Sequence, residues 1–271
     1  MRVGIIGGGT IARLFLEQVR SGNLGAAEIV AIAGRNETSR AKPLAAEFSV
    51  PFAIGIDGLL PHYPEVVVEA ASHEAVRSYG IPLLNAGVSL IVLSAGALAD
   101  DSLRGALERA AAKSRAMLYV PSGGIGGLDA LKAACIAGVE EVTIAVTKPP
   151  RAWKGIPYVE KLGVDLGALS EPYTLYDGPA REGVRHFPAN VNIAAVLSMA
   201  GIGFDRTRMK AVADPRLQYN THYIEVRGKS GNISLKFENV PSPDNPKTAL
   251  LACYSALAAL KEFQARTRYG T

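Results

Sequence analysis

The sequence predicts an α/β protein, with an N-terminal doubly wound parallel sheet followed by a C-terminal α+β domain. Three observations carry this expectation. Short apolar runs alternate with helical spacings over the first 120 residues, the pattern of right-handed βαβ units. A glycine-rich turn, Gly7-Gly8-Gly9-Thr10-Ile11-Ala12, joins the first apolar run to the first helical one. Beyond about residue 120, strands alternate apolar and polar positions and connect through a glycine-rich turn.

The elements follow in order. Val3, Ile5 and Ile6 supply the first strand, and Ile11, Leu14, Phe15 and Val19 recur at helical spacing behind it. Residues 28–33 read as a second strand, and 66–71 and 89–94 as two further buried ones. Residues 75–86 fit the crossover helix between those two. Leu103, Ala106, Leu107, Ala110 and Ala111 mark another helix, and 116–120 completes the parallel run. A second glycine-rich segment, residues 121–127, leads into a helix over 128–137 and a strand over 142–147. A polar stretch and a short helix near 193–199 come next. Residues 221–226 and 233–237 pair as an antiparallel, half-buried hairpin across Gly228-Lys229-Ser230-Gly231-Asn232. Asn245-Pro246 opens the last helix as N-cap and first-turn proline. Its expected apolar face is Leu250, Leu251, Tyr254, Leu257 and Leu260. We therefore assign residues 1–120 to a dinucleotide-binding domain and 121–245 to a substrate and dimerisation domain. The last helix, 246–267, is a candidate to pack back on the first domain. A cleft between the two domains is the expected place for chemistry.

Each small residue of the first turn has a physical role. Gly7 permits the tight turn, Gly9 lets a pyrophosphate approach the backbone, and Ala12 lets the helix pack close to the sheet. The helix start at Thr10 and Ile11 adds N–H groups and a partial positive charge. This is the Rossmann-type fingerprint for NAD or NADP. The second strand ends Ala33-Gly34-Arg35-Asn36, with no acid at its tip and Glu37 following. An acid there would bind the adenosine ribose of NAD. Arg35 instead suits a 2′-phosphate or stacking on adenine, which tilts the coenzyme to NADP or to acceptance of both.

Composition narrows the class. At 48% hydrophobic and 20% charged residues the chain suits a globular protein, long enough for one large domain or two smaller ones. The net charge of +4 comes from interspersed acids and bases. The chain has no basic tail, zinc-ligand spacing or aromatic-rich basic strand, so neither a nucleic acid nor a metal is expected. The mild positive balance suits an anionic substrate. Cys135 and Cys253 sit in apolar helical patterns as small core residues. The first strand stands at the N-terminus and no apolar run reaches transmembrane length, so the expectation is a cytoplasmic protein without a membrane partner.

Four histidines are candidates for proton transfer. His62 lies in a loop between prolines, and His186 sits near a possible helix start, where capping or packing explains it. His73 follows Ala71 and Ser72 at the carboxyl edge of the sheet, where ligands bind in such folds. His222 alternates with Ile224 and Val226 and shares their strand face, which directs it towards the core or the cleft. Donors for an anionic substrate are Lys148 at a strand end, and Lys247 and Thr248 in the first turn of the last helix. Asn190 and Asn192 flank another helix start, able to orient an amide or carboxylate.

Taken together, these segments resemble the L-aspartate dehydrogenase family over nearly the whole chain. The resemblance rests on residues 7–12, Val-Glu-Ala-Ala-Ser-His (68–73), Leu-Ser-Ala-Gly-Ala-Leu (93–98) and Ser-Gly-Gly-Ile-Gly-Gly-Leu-Asp-Ala-Leu (122–131). It continues through Lys-Pro-Pro-Arg-Ala-Trp (148–153), Tyr-Asp-Gly-Pro-Ala-Arg-Glu (176–182) and Pro-Ala-Asn-Val-Asn-Ile-Ala-Ala (188–195). Phe-Asp-Arg-Thr (204–207), Thr221-His222 and Asn-Pro-Lys-Thr (245–248) complete it.

The resemblance implies oxidation of L-aspartate with NAD or NADP to iminoaspartate, which hydrolyses to oxaloacetate and ammonia. It implies the reverse reductive amination, a homodimer, and passage of iminoaspartate to quinolinate synthase for NAD biosynthesis. His222 falls on the family's active-site histidine, and Gly124 and Asn192 on its coenzyme-contacting positions. Many members have Ala where this chain has Gly124. The remaining coenzyme candidates are Gly7, Gly9, Thr10, Ile11, Ala12, Arg35, Asn36, Ala71 and Ser72, with Lys148, Lys247 and Thr248 for substrate. Two other readings stand beside this one. The first is a related NAD(P)H-dependent reductase of another aspartate-pathway substrate, which substrate assays separate. The second is a non-catalytic NADPH-binding sensor, which would bind coenzyme without turnover.

Overall fold

The computed structural model describes residues 1–188, 191–242, 249–267 and 269. The chain forms two compact units, one of Met1–Pro121 with Cys253–Tyr269 and one containing Ser122–Ala252.

In the first unit β1 (Arg2–Ile6), α1 (Thr10–Arg20), β2 (Glu28–Gly34), α2 (Ala41–Glu47), β3 (Phe52–Ile54) and α3 (Gly55–Leu59) form one half. The other half comprises β4 (Val66–Glu69), α4 (His73–Asn85), β5 (Ser89–Val92), α5 (Asp101–Ser114) and β6 (Leu118–Tyr119). The six strands pair in parallel, in the order β3-β2-β1-β4-β5-β6. The chain starts at the centre, runs outward to β3, and returns to β4 on the other side of β1. The carboxyl ends of β1 and β4 therefore flank the point where strand order reverses, the usual ligand crevice of such sheets. Strands buried on both faces need continuous apolar runs, and β4 supplies one in Val66-Val67-Val68 before ending on the buried Glu69. β3 is a strand beyond those the sequence predicts, because three residues between Pro51 and Gly55 carry no period.

The second unit contains α6 (Leu128–Ala137), β7 (Val139–Lys148), α7 (Pro157–Lys161), β8 (Tyr173–Pro179), α8 (Ala180–His186), α9 (Asn192–Ala200), β9 (Thr207–Ala213), β10 (Asn220–Gly228) and β11 (Gly231–Asn239). Its sheet runs β11-β10-β7-β9-β8. β7 and β9 are parallel and the other pairs antiparallel, so the sheet is mixed. Ile144, Val146, Met209, Ala211, Ile224 and Val226 are buried on one face, against which α6, α8 and α9 pack. Tyr223, Glu225 and Arg227 point the other way and are exposed. The hairpin pairs Thr221 with Glu238 and Val226 with Ile233. β8 lies in the polar stretch, where tertiary neighbours rather than its own hydrophobicity bury it, and β9 is a further strand between the helix near 193–199 and the hairpin.

The last helix, α10, spans Leu250–Gln264. Its buried face is Cys253, Ala256, Leu257, Ala259 and Leu260, and from Ala256 onward these join the β1–β2–α1 core of the first unit. The expected stripe is corrected at two positions, because Leu251 and Tyr254 are 44% and 47% exposed. Small side chains at 253, 256 and 259 let the helix approach closely beside Leu257 and Leu260, and Leu251 and Tyr254 turn outward. The proposed cap at Asn245-Pro246 lies outside the described residues.

Candidate functional site

A cleft of about 590 Å³ opens at the carboxyl edge of the first sheet. Gly7, Gly8 and Gly9 form its middle, Arg35, Asn36, Thr38 and Arg40 one side, and Ala70, Ala71, Ser72 and Tyr79 another. The turn is built for close backbone approach. Gly7 has φ +114°, and a Cβ there would lie 2.5 Å from the Ala70 carbonyl oxygen. A Cβ on Gly8 would collide with the backbone at Arg40–Ala41. A Cβ on Gly9 would meet no protein atom within 4 Å, so this residue leaves space facing open volume. Gly9 caps α1 without a side chain, and no acid lies in the first helical turn, so the leading N–H groups suit an anion.

The side of the cleft after β2 is basic. Arg35 and Arg40 pair with no carboxylate among the described residues, while Glu37, the nearest acid in sequence, is held by Lys42 at 2.6 Å. The side after β4 is held by Glu69. Its Oε1 accepts from Ala71 N at 2.8 Å, Ser72 N at 2.9 Å and the Ser94 hydroxyl at 2.9 Å, and its Oε2 accepts from Ser94 N at 3.0 Å. Ser72 in turn caps α4, accepting from Ala75 N at 3.2 Å.

The second unit gathers its own polar cluster at the end of β7 and β10. His222 pairs with Val146 across the strands, and Lys148 lies two residues farther along β7 on the same face. Both are buried, at 3% exposure each. His222 Nδ1 has no hydrogen-bond partner among the described residues. Burial first, and then the Lys148 charge, push the imidazole pKa down to about 3, against a backbone hydrogen bond with Thr221. Lys148 Nζ lies 5.4 Å from the centre of the Trp153 ring, whose Nε1 donates to Val212 O at 3.1 Å. A neutral imidazole whose Nδ1 lacks a hydrogen-bond partner among the described residues, on the same face as a buried lysine, can take up a proton once an anion offsets the lysine charge. Nearby in the same unit, Asn239 Nδ2 donates to Gly124 O at 2.7 Å.

Comparison with known proteins bears on both units. Residues 129–263 match the family model described as aspartate dehydrogenase, C-terminal, and residues 7–121 match the NAD binding domain of homoserine dehydrogenase. The chain is 41% identical to the L-aspartate dehydrogenase of Methanosarcina acetivorans, over the whole of both sequences. The chain belongs to the L-aspartate dehydrogenase family. A Bordetella bronchiseptica relative, L-aspartate dehydrogenase 2, is 40% identical over 99% of each chain. The crystal structure of aspartate dehydrogenase from Thermotoga maritima superposes with a TM-score of 0.78 at 30% identity, covering 100% of this chain and 99% of that one. The family's NAD-binding fold and the Rossmann strand order agree, and the chain is an NAD(P)-dependent oxidoreductase.

Within this family member, the residues singled out by sequence distribute as follows. Gly7, Gly9, Arg35, Asn36, Ala71 and Ser72 all line the one cleft. Thr10, Ile11 and Ala12 open α1 and are not part of that lining; Ala12 is fully buried in the core. His222, Lys148, Gly124 and Asn192 belong to the second unit, with Asn192 as the first residue of α9. Lys247, Thr248 and Asn190 lie outside the described residues. His73 is the first residue of α4, and His186 stacks on Tyr158 at 4.0 Å between ring centres. Sequence reasoning did not single out Glu69, Arg40 or Asn239. Glu69 had a legible signal, a carboxylate closing an otherwise apolar strand; Asn239 had none. No described helix is long and apolar enough to cross a membrane.

Proposed function

We propose that the chain oxidises L-aspartate to iminoaspartate with NADP or NAD, and runs the reverse reductive amination. Iminoaspartate then takes up water and releases ammonia to give oxaloacetate. Bound nicotinamide coenzyme supplies the two-electron acceptor for the hydride leaving Cα. The observation that carries the reading is the pairing of buried, partnerless His222 Nδ1 with buried Lys148 on one sheet face.

The chemistry of these two residues is coupled. A dicarboxylate needs a fixed cation, and Lys148 supplies one. In the free protein that same cation depresses the basicity of His222. A substrate carboxylate seated on Lys148 offsets the charge and restores basicity when a proton must be taken. The ammonium of aspartate sheds a proton before hydride can leave, and His222 Nδ1 is the acceptor. Once that proton has passed to solvent, the same nitrogen can take another from the water that attacks the imine carbon.

Residues 1–120, with helix 246–267, are read as the coenzyme domain, and 121–245 as the substrate and dimerisation domain. Gly124 and Asn192 are assigned to the nicotinamide, and Lys247 and Thr248 to the second substrate carboxylate. Arg35 supports NADP, since it lines the cleft and pairs with no carboxylate among the described residues. The family's properties support a cytoplasmic homodimer whose iminoaspartate feeds NAD biosynthesis. Initial rates with L-aspartate, comparing NADP with NAD, test the reading. Turnover with aspartate and lower KM for NADP is the expected result, and absence of turnover with either coenzyme overturns it.

A further inference from the structure

The buried Glu69 is used by none of these steps. It is 1% exposed, no Lys or Arg pairs with it among the described residues, and it accepts from four donors in two loops. Two of those donors, Ala71 and Ser72, are themselves wall residues of the cleft.

The cleft has a direction. The residues after β2 stand on one side, the glycine turn after β1 in the middle, and the residues after β4 on the other. A dinucleotide with its pyrophosphate on the glycine turn and its adenosine ribose at the β2 tip brings its nicotinamide half to the β4 tip. The oxidised nicotinamide ring carries a unit positive charge and the reduced ring carries none. A carboxylate shielded from water and lacking a counter-cation acts on that difference, because the low-dielectric surroundings lengthen the reach of its field.

We propose that Glu69 is a positioning residue that holds the wall at the β4 tip and makes the cleft favour oxidised over reduced coenzyme. The inference rests on the cleft being the dinucleotide site. Three of its four donors are backbone N–H groups, which cannot reverse into acceptors, so the set matches an ionised carboxyl. Burial pushes its pKa up, and the four donors act against that rise.

The test is a calorimetric titration of the full-length protein with NADP+ and with NADPH. Wild type is compared with Glu69→Gln, which keeps the shape and removes the charge. NADP+ affinity is expected to fall about tenfold in the variant while NADPH affinity changes by less than about threefold. Ser94→Ala withdraws the hydroxyl donor and keeps the backbone one; it moves the ratio the same way by a smaller factor. An unchanged ratio in folded Glu69→Gln, or an equal loss for both forms, overturns the proposal. Should Glu69→Gln not fold, an unchanged ratio in Ser94→Ala overturns it instead. Wild type that binds neither form removes the cleft assignment itself, an outcome distinct from the failure of Glu69.

Discussion

His222 is held neutral by burial and by Lys148, and its Nδ1 has no hydrogen-bond partner among the described residues. Such a group is a weak base until an anion arrives, and its removal leaves coenzyme binding intact. We expect His222→Ala to lower turnover by about 10²- to 10⁴-fold, with coenzyme affinity changed little. Steady-state rates beside a coenzyme titration check this, and unaltered turnover excludes the role. Arg35 lines the cleft, exposed and without a carboxylate partner among the described residues. Arg35→Ala is expected to raise KM for NADP by about tenfold or more, the worth of one charge-assisted hydrogen bond, and to leave KM for NAD nearly unchanged. Equal effects on both coenzymes would place Arg35 outside the 2′-phosphate contact. At this scale the sequence singles out candidates where a residue's own chemistry suggests a role, as with His222, Lys148 and Arg35. Glu69 and Asn239 act through the loops they hold, and their meaning depends on partners up to 115 residues away.

The elements decide how those residues are presented. The glycine turn does two different jobs. Gly7 and Gly9 serve the turn and the open volume, whereas Gly8 makes room for the backbone at Arg40–Ala41, where α2 begins. A methyl at Gly8 therefore displaces the loop bearing Arg35 and Arg40. Gly8→Ala is expected to cost about 1 to 3 kcal/mol of stability by overpacking and to weaken coenzyme binding. Denaturant melts with coenzyme titration measure both, and a variant with wild-type values for each would show that the loop relaxes freely. Strands of continuous apolar sequence, such as Val66-Val67-Val68, and the Gly228–Gly231 hairpin were readable because each carries its own period or turn chemistry. β3 is too short to show a period. β8 takes its burial from neighbours in the sheet, whereas β9 alternates buried and more exposed positions along Thr207–Ala213.

For the whole molecule, the buried imidazole sets a pH dependence of folding. His222 stands at about 3 when folded, against 6.5 for the unperturbed group. Between these values the unfolded chain binds more protons than the folded one, so stability falls as pH drops. This contribution is complete above about pH 6.5 and diminishes towards pH 3. From pH 7 to pH 5 the loss from this group is about 2 kcal/mol. Urea melts at the two pH values measure it, and His222→Asn should shrink the difference; an undiminished difference would assign the slope to other groups. Sequence alone determined the alternation of strands and helices, the glycine-rich turn after β1, the absence of an acid at the tip of β2, and the family. These are local patterns, because period, turn chemistry and motif spacing are written along the chain. Tertiary structure decided which face of α10 is buried, that β7 and β9 run parallel, that Lys148 shares a face with His222, and that Glu69 binds two loops. Those facts arise from contacts between distant segments, where packing volume and unpaired polar groups, rather than local pattern, set the energy.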